Sequence, residues 1–145
     1  MKRTYSLAQL PEITALLRES LESRSMIALT GQLGAGKTTL VQNLLRSWGV
    51  QEAITSPTFT YVNCYKLATG LIIYHFDLYR LTTLASFLEL GFDEYLSQPN
   101  SLVIIEWPEI IAPILEQLRD KVLRINLECL GDGERKITLG EDSDD

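Results

Sequence analysis

The sequence predicts an α/β fold, one domain built on a mixed, mainly parallel central sheet flanked by helices. Three observations carry that prediction. Gly31 to Thr38 reads Gly-Gln-Leu-Gly-Ala-Gly-Lys-Thr, a full G-x-x-x-x-G-K-[ST] phosphate-binding loop, which needs a strand before it and a helix after it. Leu102-Val103-Ile104-Ile105 is an unbroken apolar run, as expected of a parallel strand covered on both faces. Two β-rich pairs, each with a short Gly-containing join, announce the hairpins that make the sheet mixed.

In chain order, Thr4 to Leu7 reads as an edge strand and Leu10 to Leu21 as a helix, its apolar face formed by Ile13, Leu16, Leu17 and Leu21. Pro11 suits the first turn, where its missing N–H would have no partner. Ser25 to Thr30 fits a buried strand running into the loop. After the loop, Leu40, Val41, Leu44, Leu45 and Trp48 recur on one face of a helix, and Gly49 stands where a left-handed stop belongs. A polar connection with Ser56-Pro57-Thr58 follows. Thr58 to Leu67 and Leu71 to Leu78 then form a hairpin across Ala68-Thr69-Gly70, and Leu81 to Leu90 a helix ended by Gly91. Beyond Leu102 to Ile105, Pro108 and Pro113 keep any helix between them short. Val122 to Leu130 and Arg135 to Leu139 close the fold as a second hairpin across Gly131-Asp132-Gly133.

A chain of 145 residues suits one domain that buries about two-thirds of its unfolded surface. That domain is expected over 1–140, with Glu-Asp-Ser-Asp-Asp at 141–145 a solvated acidic tail. A net charge of −6 argues against a broad basic surface that grips nucleic acid unaided. No stretch approaches the roughly 18 apolar residues of a membrane span, and the opening Met-Lys-Arg-Thr-Tyr-Ser lacks a signal peptide's apolar core. A cytoplasmic protein without membrane contact is therefore expected. Cys64 and Cys129 lack metal-ligand spacing and read as buried thiols, not a disulfide.

The loop's glycines let the main chain wrap phosphate oxygens and aim N–H groups inward, at the positive end of the helix that begins near Lys37. Gly34, Ala35, Gly36, Lys37, Thr38 and Thr39 are the expected nucleotide contacts: Lys37 toward the β- and γ-phosphates, Thr38 toward Mg²⁺, Thr39 toward the α-phosphate. Phosphoryl chemistry also needs carboxylates at the ends of neighbouring strands. Asp77 after Ile72 to Phe76 and Glu106 after Leu102 to Ile105 both meet that requirement; either can orient water on Mg²⁺ while the other positions the attacking water.

Between Gln51 and Trp107 the only cations are Lys66 and Arg80, too few to clamp the donor and acceptor phosphates of a small-molecule kinase. No guanine-reading element is present either. Arg80 reads equally as a phosphate contact or a surface ion pair. His75, the sole histidine, fits a structural role better than that of a base, on the strand face opposite Tyr74 and Phe76. Trp107 suits either a core position or a stack on a ligand or partner.

Taken in order, Gly31-Gln-Leu-Gly-Ala-Gly-Lys-Thr-Thr39, Ser56-Pro-Thr-Phe-Thr60, His75-Phe-Asp-Leu-Tyr-Arg80 and Ile105-Glu-Trp-Pro-Glu109 closely resemble the TsaE (YjeE) family, bacterial ATPase subunits of the tRNA threonylcarbamoyladenosine machinery. Four motifs in order are far more specific than the loop alone. The resemblance covers Gly31 to Glu109, and the flanking segments by length and pattern. It implies a single-domain P-loop NTPase using ATP and Mg²⁺, with Lys37 and the loop backbone on phosphate, Thr38 and Glu106 on Mg²⁺, and Asp77 required for hydrolysis. Ser56 and Thr58 correspond to a switch-like loop near the γ-phosphate. Gln32 departs from the Asp of many relatives, at a variable loop position. Nothing marks the adenine contact, for which Leu7 to Thr14 is the expected lid. The family works with TsaD, which transfers threonylcarbamoyl to the adenosine beside the anticodon, and with TsaB; TsaE's ATPase cycle permits repeated turnover, and tRNA is met through the complex. The alternative readings are a small-molecule kinase and a non-hydrolysing, nucleotide-gated binding module.

Overall fold

In the computed structural model, the apolar run at Leu102 becomes strand β5 (Ser101–Glu106), with Leu102 and Ile104 in the core on one face and Val103 and Ile105 in the core on the other. Burial on both faces removes any need for polar alternation. The structure describes residues 1–140 apart from Ser56, Thr58 and Phe59. The expected acidic tail and the switch-loop residues Ser56 and Thr58 therefore lie outside the described residues.

The other strands are β1 (Lys2–Ser6), β2 (Met26–Gly31), β3 (Val62–Lys66), β4 (Ile72–Asp77), β6 (Val122–Gly131) and β7 (Glu134–Leu139). They form one sheet of seven in the order β1-β7-β6-β2-β5-β4-β3. The four central strands, β6, β2, β5 and β4, run parallel, and each edge is finished by antiparallel pairing: β1 on β7 and β7 on β6 at one side, β3 on β4 at the other. Parallel neighbours need long crossovers, and those place helices on both faces. On one face lie α1 (Leu10–Leu21) and α2 (Lys37–Ser47), whose Ile13, Leu17, Leu40, Leu44 and Leu45 pack on Ile27, Leu29 and Ile104. On the other lie α3 (Leu84–Glu89) and α4 (Ala112–Gln117), with Phe87 and Leu115 against Ala28, Val103 and Ile105.

Local chemistry explains where elements begin and end. β3 starts at Val62, four residues beyond the expected Thr58, because Tyr61 takes a left-handed turn (φ 68°) and its carbonyl already accepts the Asp77 N–H at 2.9 Å. α3 starts at Leu84, not Leu81, since the Thr83 hydroxyl accepts the Ser86 N–H at 3.0 Å as an N-cap. Pro113 falls in the first turn of α4 and so opens that helix. Leu7, expected as a strand residue, instead begins a 3₁₀ turn and is 55% exposed. A second 3₁₀ segment, Phe92–Ser97, has no period that the sequence would reveal; Phe92 and Tyr95 join Phe76 and Phe87 in edge-to-face and tilted ring contacts. The two cysteines are a correction. Both are exposed free thiols, Cys64 on the outward side of the edge strand β3 and Cys129 on the end of β6 that runs out toward its hairpin turn.

Candidate functional site

β2 delivers the chain to the loop at Gly31, where a side chain cannot exist: a Cβ there would lie 2.7 Å from the carbonyl oxygen of Leu127 on β6. The loop then closes on itself through the Ala35 N–H to the Gln32 carbonyl, 3.0 Å. Gly36, at φ 98°, turns the backbone into α2. The first N–H groups of that helix, at Lys37, Thr38 and Thr39, have no partner within it, which is what an anion-binding terminus requires. Five of the six expected nucleotide contacts, Gly34, Gly36, Lys37, Thr38 and Thr39, line one open cavity of about 470 Å³. Ala35 does not. It packs in the core, and its amide is occupied by the loop's own turn.

The same cavity is lined by Asp77 and Glu106. Parallel pairing of β4 with β5 sets these two carboxylates directly opposite each other at the carboxyl ends of their strands, both buried. His75 lies on the same face of β4 as Asp77, and its Nε2 is 2.6 Å from Glu106 Oε2 with both side chains almost wholly enclosed. Its other ring nitrogen has no partner among the described residues. His75 is thus structural, as its setting predicts, but the structure it supports is the site acid. Asp77 is fixed by the Tyr79 N–H on Oδ1 at 3.0 Å.

Lys37 is only 5% exposed. Its ammonium turns back onto the Gly31 and Gln32 carbonyls and lies 3.6 Å from the centre of the Trp107 ring. Burial lowers its pKa from the ordinary value, against the opposing pull of Glu106, Glu109 and Asp77. Trp107 holds a left-handed backbone (φ 58°) and also packs on Tyr79, ring centres 4.9 Å apart. A bulky residue in that conformation is uncommon, and here it directs an aromatic face at the loop lysine. Trp107 packs against the core on that side of the sheet and also lines the cavity, so its position joins features of both sequence readings.

Arg80 lines the cavity too, and so does Arg135, from β7. No local pattern in the sequence marks Arg135 as a site residue, whereas Tyr79 lies within the motif His75 to Arg80. Arg135 reaches the loop because β7 pairs with β6, which in turn pairs with β2, the strand that leads into the loop. A larger hollow, about 840 Å³, lies over β6, β7 and α4, with Ala28, Arg124 and Thr138 in its wall. It contains neither the loop lysine nor the strand-end acids, so the smaller cavity is the candidate site.

The donor set suits a hard divalent cation: two buried carboxylates and a helix-start hydroxyl, all oxygen. Among the described residues no cluster of three or more titratable ligands forms a cage. Mg²⁺ needs none, because one or two carboxylates, water and phosphate oxygens complete its shell.

A phosphate-binding loop between strand and helix, acids at the ends of neighbouring parallel strands, and helices on both faces define a single-domain P-loop α/β protein. Comparison with known proteins narrows the class. The model of the family described as "Threonylcarbamoyl adenosine biosynthesis protein TsaE" matches residues 4–137, and the chain belongs to that family. It is 40% identical over 119 residues to the TsaE of Treponema pallidum, covering 82% of this chain and 84% of that one. To the TsaE of Rickettsia conorii it is 38% identical over 129 residues, 88% of this chain and 70% of the other. To that of Bacillus subtilis it is 33% identical over 137 residues, 94% and 82%. The crystal structure of YdiB from Bacillus subtilis superposes with a TM-score of 0.63 at 29% identity, covering 96% of this chain and 84% of YdiB.

Proposed function

We propose that this protein is a Mg²⁺-dependent ATPase that supports N6-threonylcarbamoyladenosine formation in tRNA by driving turnover of a TsaB–TsaD transferase complex, without transferring the group itself. One observation carries the reading: Asp77 and Glu106 stand side by side at the strand ends, in the cavity that Lys37, Thr38 and Thr39 also line. Family membership supplies the biosynthetic setting. A cytoplasmic location fits that setting, and no described helix is long and apolar enough to cross a membrane.

Lys37 is the residue that must move. With a triphosphate present its ammonium exchanges the Gly31 and Gln32 carbonyls for phosphate oxygens, regaining in charge-assisted hydrogen bonds what burial costs it. Thr38 and Glu106 would hold Mg²⁺, which when bound would neutralise charge developing on the phosphates. His75 fixes the Glu106 carboxylate in one orientation, and Asp77, held by the Tyr79 amide, is positioned to orient the attacking water. The switch-loop residues Ser56 and Thr58 complete this proposal by analogy with the family. Because the chain carries a net charge of −6, tRNA is met through the complex, and loop ordering or transition-state charge comes from the partner interface.

The test is steady-state ATP hydrolysis by the purified chain, alone and with TsaB and TsaD, beside Lys37→Ala. Slow hydrolysis alone, stimulation by the pair and loss in Lys37→Ala are expected. Equal rates with and without the pair would refute the partner-driven cycle, and accumulation of a phosphorylated small molecule without free phosphate would identify a kinase instead.

A further inference from the structure

The proposed site is lopsided. Asp77, Glu106 and His75 all lie on β4 and β5, to one side of β2, while β6 and β7 flank the other side. Arg135 comes from that other side. On β7 it pairs with Tyr5 of β1, and its side chain crosses β6 to the phosphate loop, where its Nε stands 3.0 Å, its Cδ 3.7 Å and its Cζ 4.0 Å from the point a Cβ on Gly36 would occupy. A side chain at this position would crowd the Arg135 guanidinium, which lies close against the loop backbone.

That guanidinium has little to hold it there. Its Nε is buried without a hydrogen-bond partner, and its Nη1 makes one long contact, 3.4 Å, to the carbonyl of the adjacent Glu134. Among the described residues, no carboxylate lies within ion-pair distance of Arg135. A buried Nε–H without a partner is unfavourable in the free protein, and the group that would satisfy the fork is an anion presenting two oxygens side by side. Phosphate is such a group.

We infer that Arg135 is a nucleotide-binding residue that takes the phosphate chain at its nucleoside end. The direction follows from the layout: with the terminal phosphate beside Lys37 and the two acids, the remainder of the chain runs past Gly36 toward β7. Arg135 therefore contributes to holding di- and triphosphate alike. The hydrolytic step itself belongs to the opposite side. The inference rests on the ATPase reading above, in that it takes the cavity to be a nucleotide site.

The experiment is calorimetric titration of the full chain with MgADP and with a non-hydrolysable ATP analogue, for the wild type and for Lys37→Ala, Arg135→Ala, Arg135→Met and Arg135→Lys. Melting of each protein without nucleotide is measured alongside. Loss of a charge-assisted contact should weaken both ligands by a similar factor, roughly ten- to a hundredfold, in Arg135→Ala and Arg135→Met. Arg135→Lys should recover part of the loss, and kcat for bound ATP should change little. Because the buried Nε has no partner in the free protein, melting without nucleotide should not fall. Unchanged MgADP affinity in the alanine and methionine variants would overturn the inference, as would a loss confined to the ATP analogue and kcat, or a lowered melting temperature with normal affinity. If the wild type itself binds neither ligand, the nucleotide-site reading fails; if the wild type binds and the Arg135 variants match it, only the inference fails.

Discussion

At the scale of single residues, the site is a set of buried charges that stabilise one another imperfectly until a ligand arrives. His75 and Glu106, 2.6 Å apart, make one close side-chain contact there. Replacing His75 with Ala leaves the Glu106 carboxylate enclosed without its partner, at a cost of about 1–3 kcal/mol. Urea unfolding should show that loss together with a weaker dependence of nucleotide affinity on Mg²⁺; normal stability with normal Mg²⁺ response would disprove the positioning role. Lys37 gives a second, pH-based expectation. Its pKa is depressed below the ordinary 10.5 in the free protein by burial, and bound phosphate raises it. Between the two values binding takes up a proton, so affinity falls as pH rises through that window. Calorimetry of ADP binding in two buffers of different ionisation enthalpy should register uptake, and proton release would contradict it.

At the scale of elements, boundaries are decided by hydrogen bonds of single side chains more than by periodicity. The alternation and apolar runs locate every strand within a few residues, because β2, β4 and β5 are mostly buried and leave none of their residues exposed. α3 is the weak point in such a reading. It has only six residues, and its start is set by the Thr83 hydroxyl on the Ser86 N–H. Thr83→Ala should therefore cost about 1 kcal/mol in thermal or urea unfolding, whereas no loss would mean the cap is solvated and idle. The 3₁₀ segment Phe92–Ser97 was not legible at all, since its order comes from aromatic contacts with residues on β4 and α3.

At the scale of the whole molecule, the sheet order brings together groups that are far apart in the chain. Lys37 after β2, Asp77 on β4, Glu106 on β5 and Arg135 on β7 meet in one cavity. The scarcity of cations between Gln51 and Trp107, true of the sequence, is partly offset by a residue outside that interval. Carboxylate variants separate an ATPase from a nucleotide-gated module. Asp77→Ala and Glu106→Ala should keep nucleotide binding within about tenfold while hydrolysis falls by at least ~10². Support of tRNA modification should fall with it; full support without hydrolysis would favour the module.

The sequence by itself determined the loop, the strand-end positions of Asp77 and Glu106, and the alternation of elements that makes the fold α/β, because each is a local matter of residue type and spacing. It also carried the four motifs that mark the family. Only the tertiary structure decided that Asp77 and Glu106 are direct neighbours, that His75 holds Glu106, that Trp107 faces Lys37, and that Arg135 crosses from the far hairpin to Gly36. The phosphate-binding loop is written in eight consecutive residues, but its surroundings depend on strand order and register, which hydrophobic pattern alone does not specify.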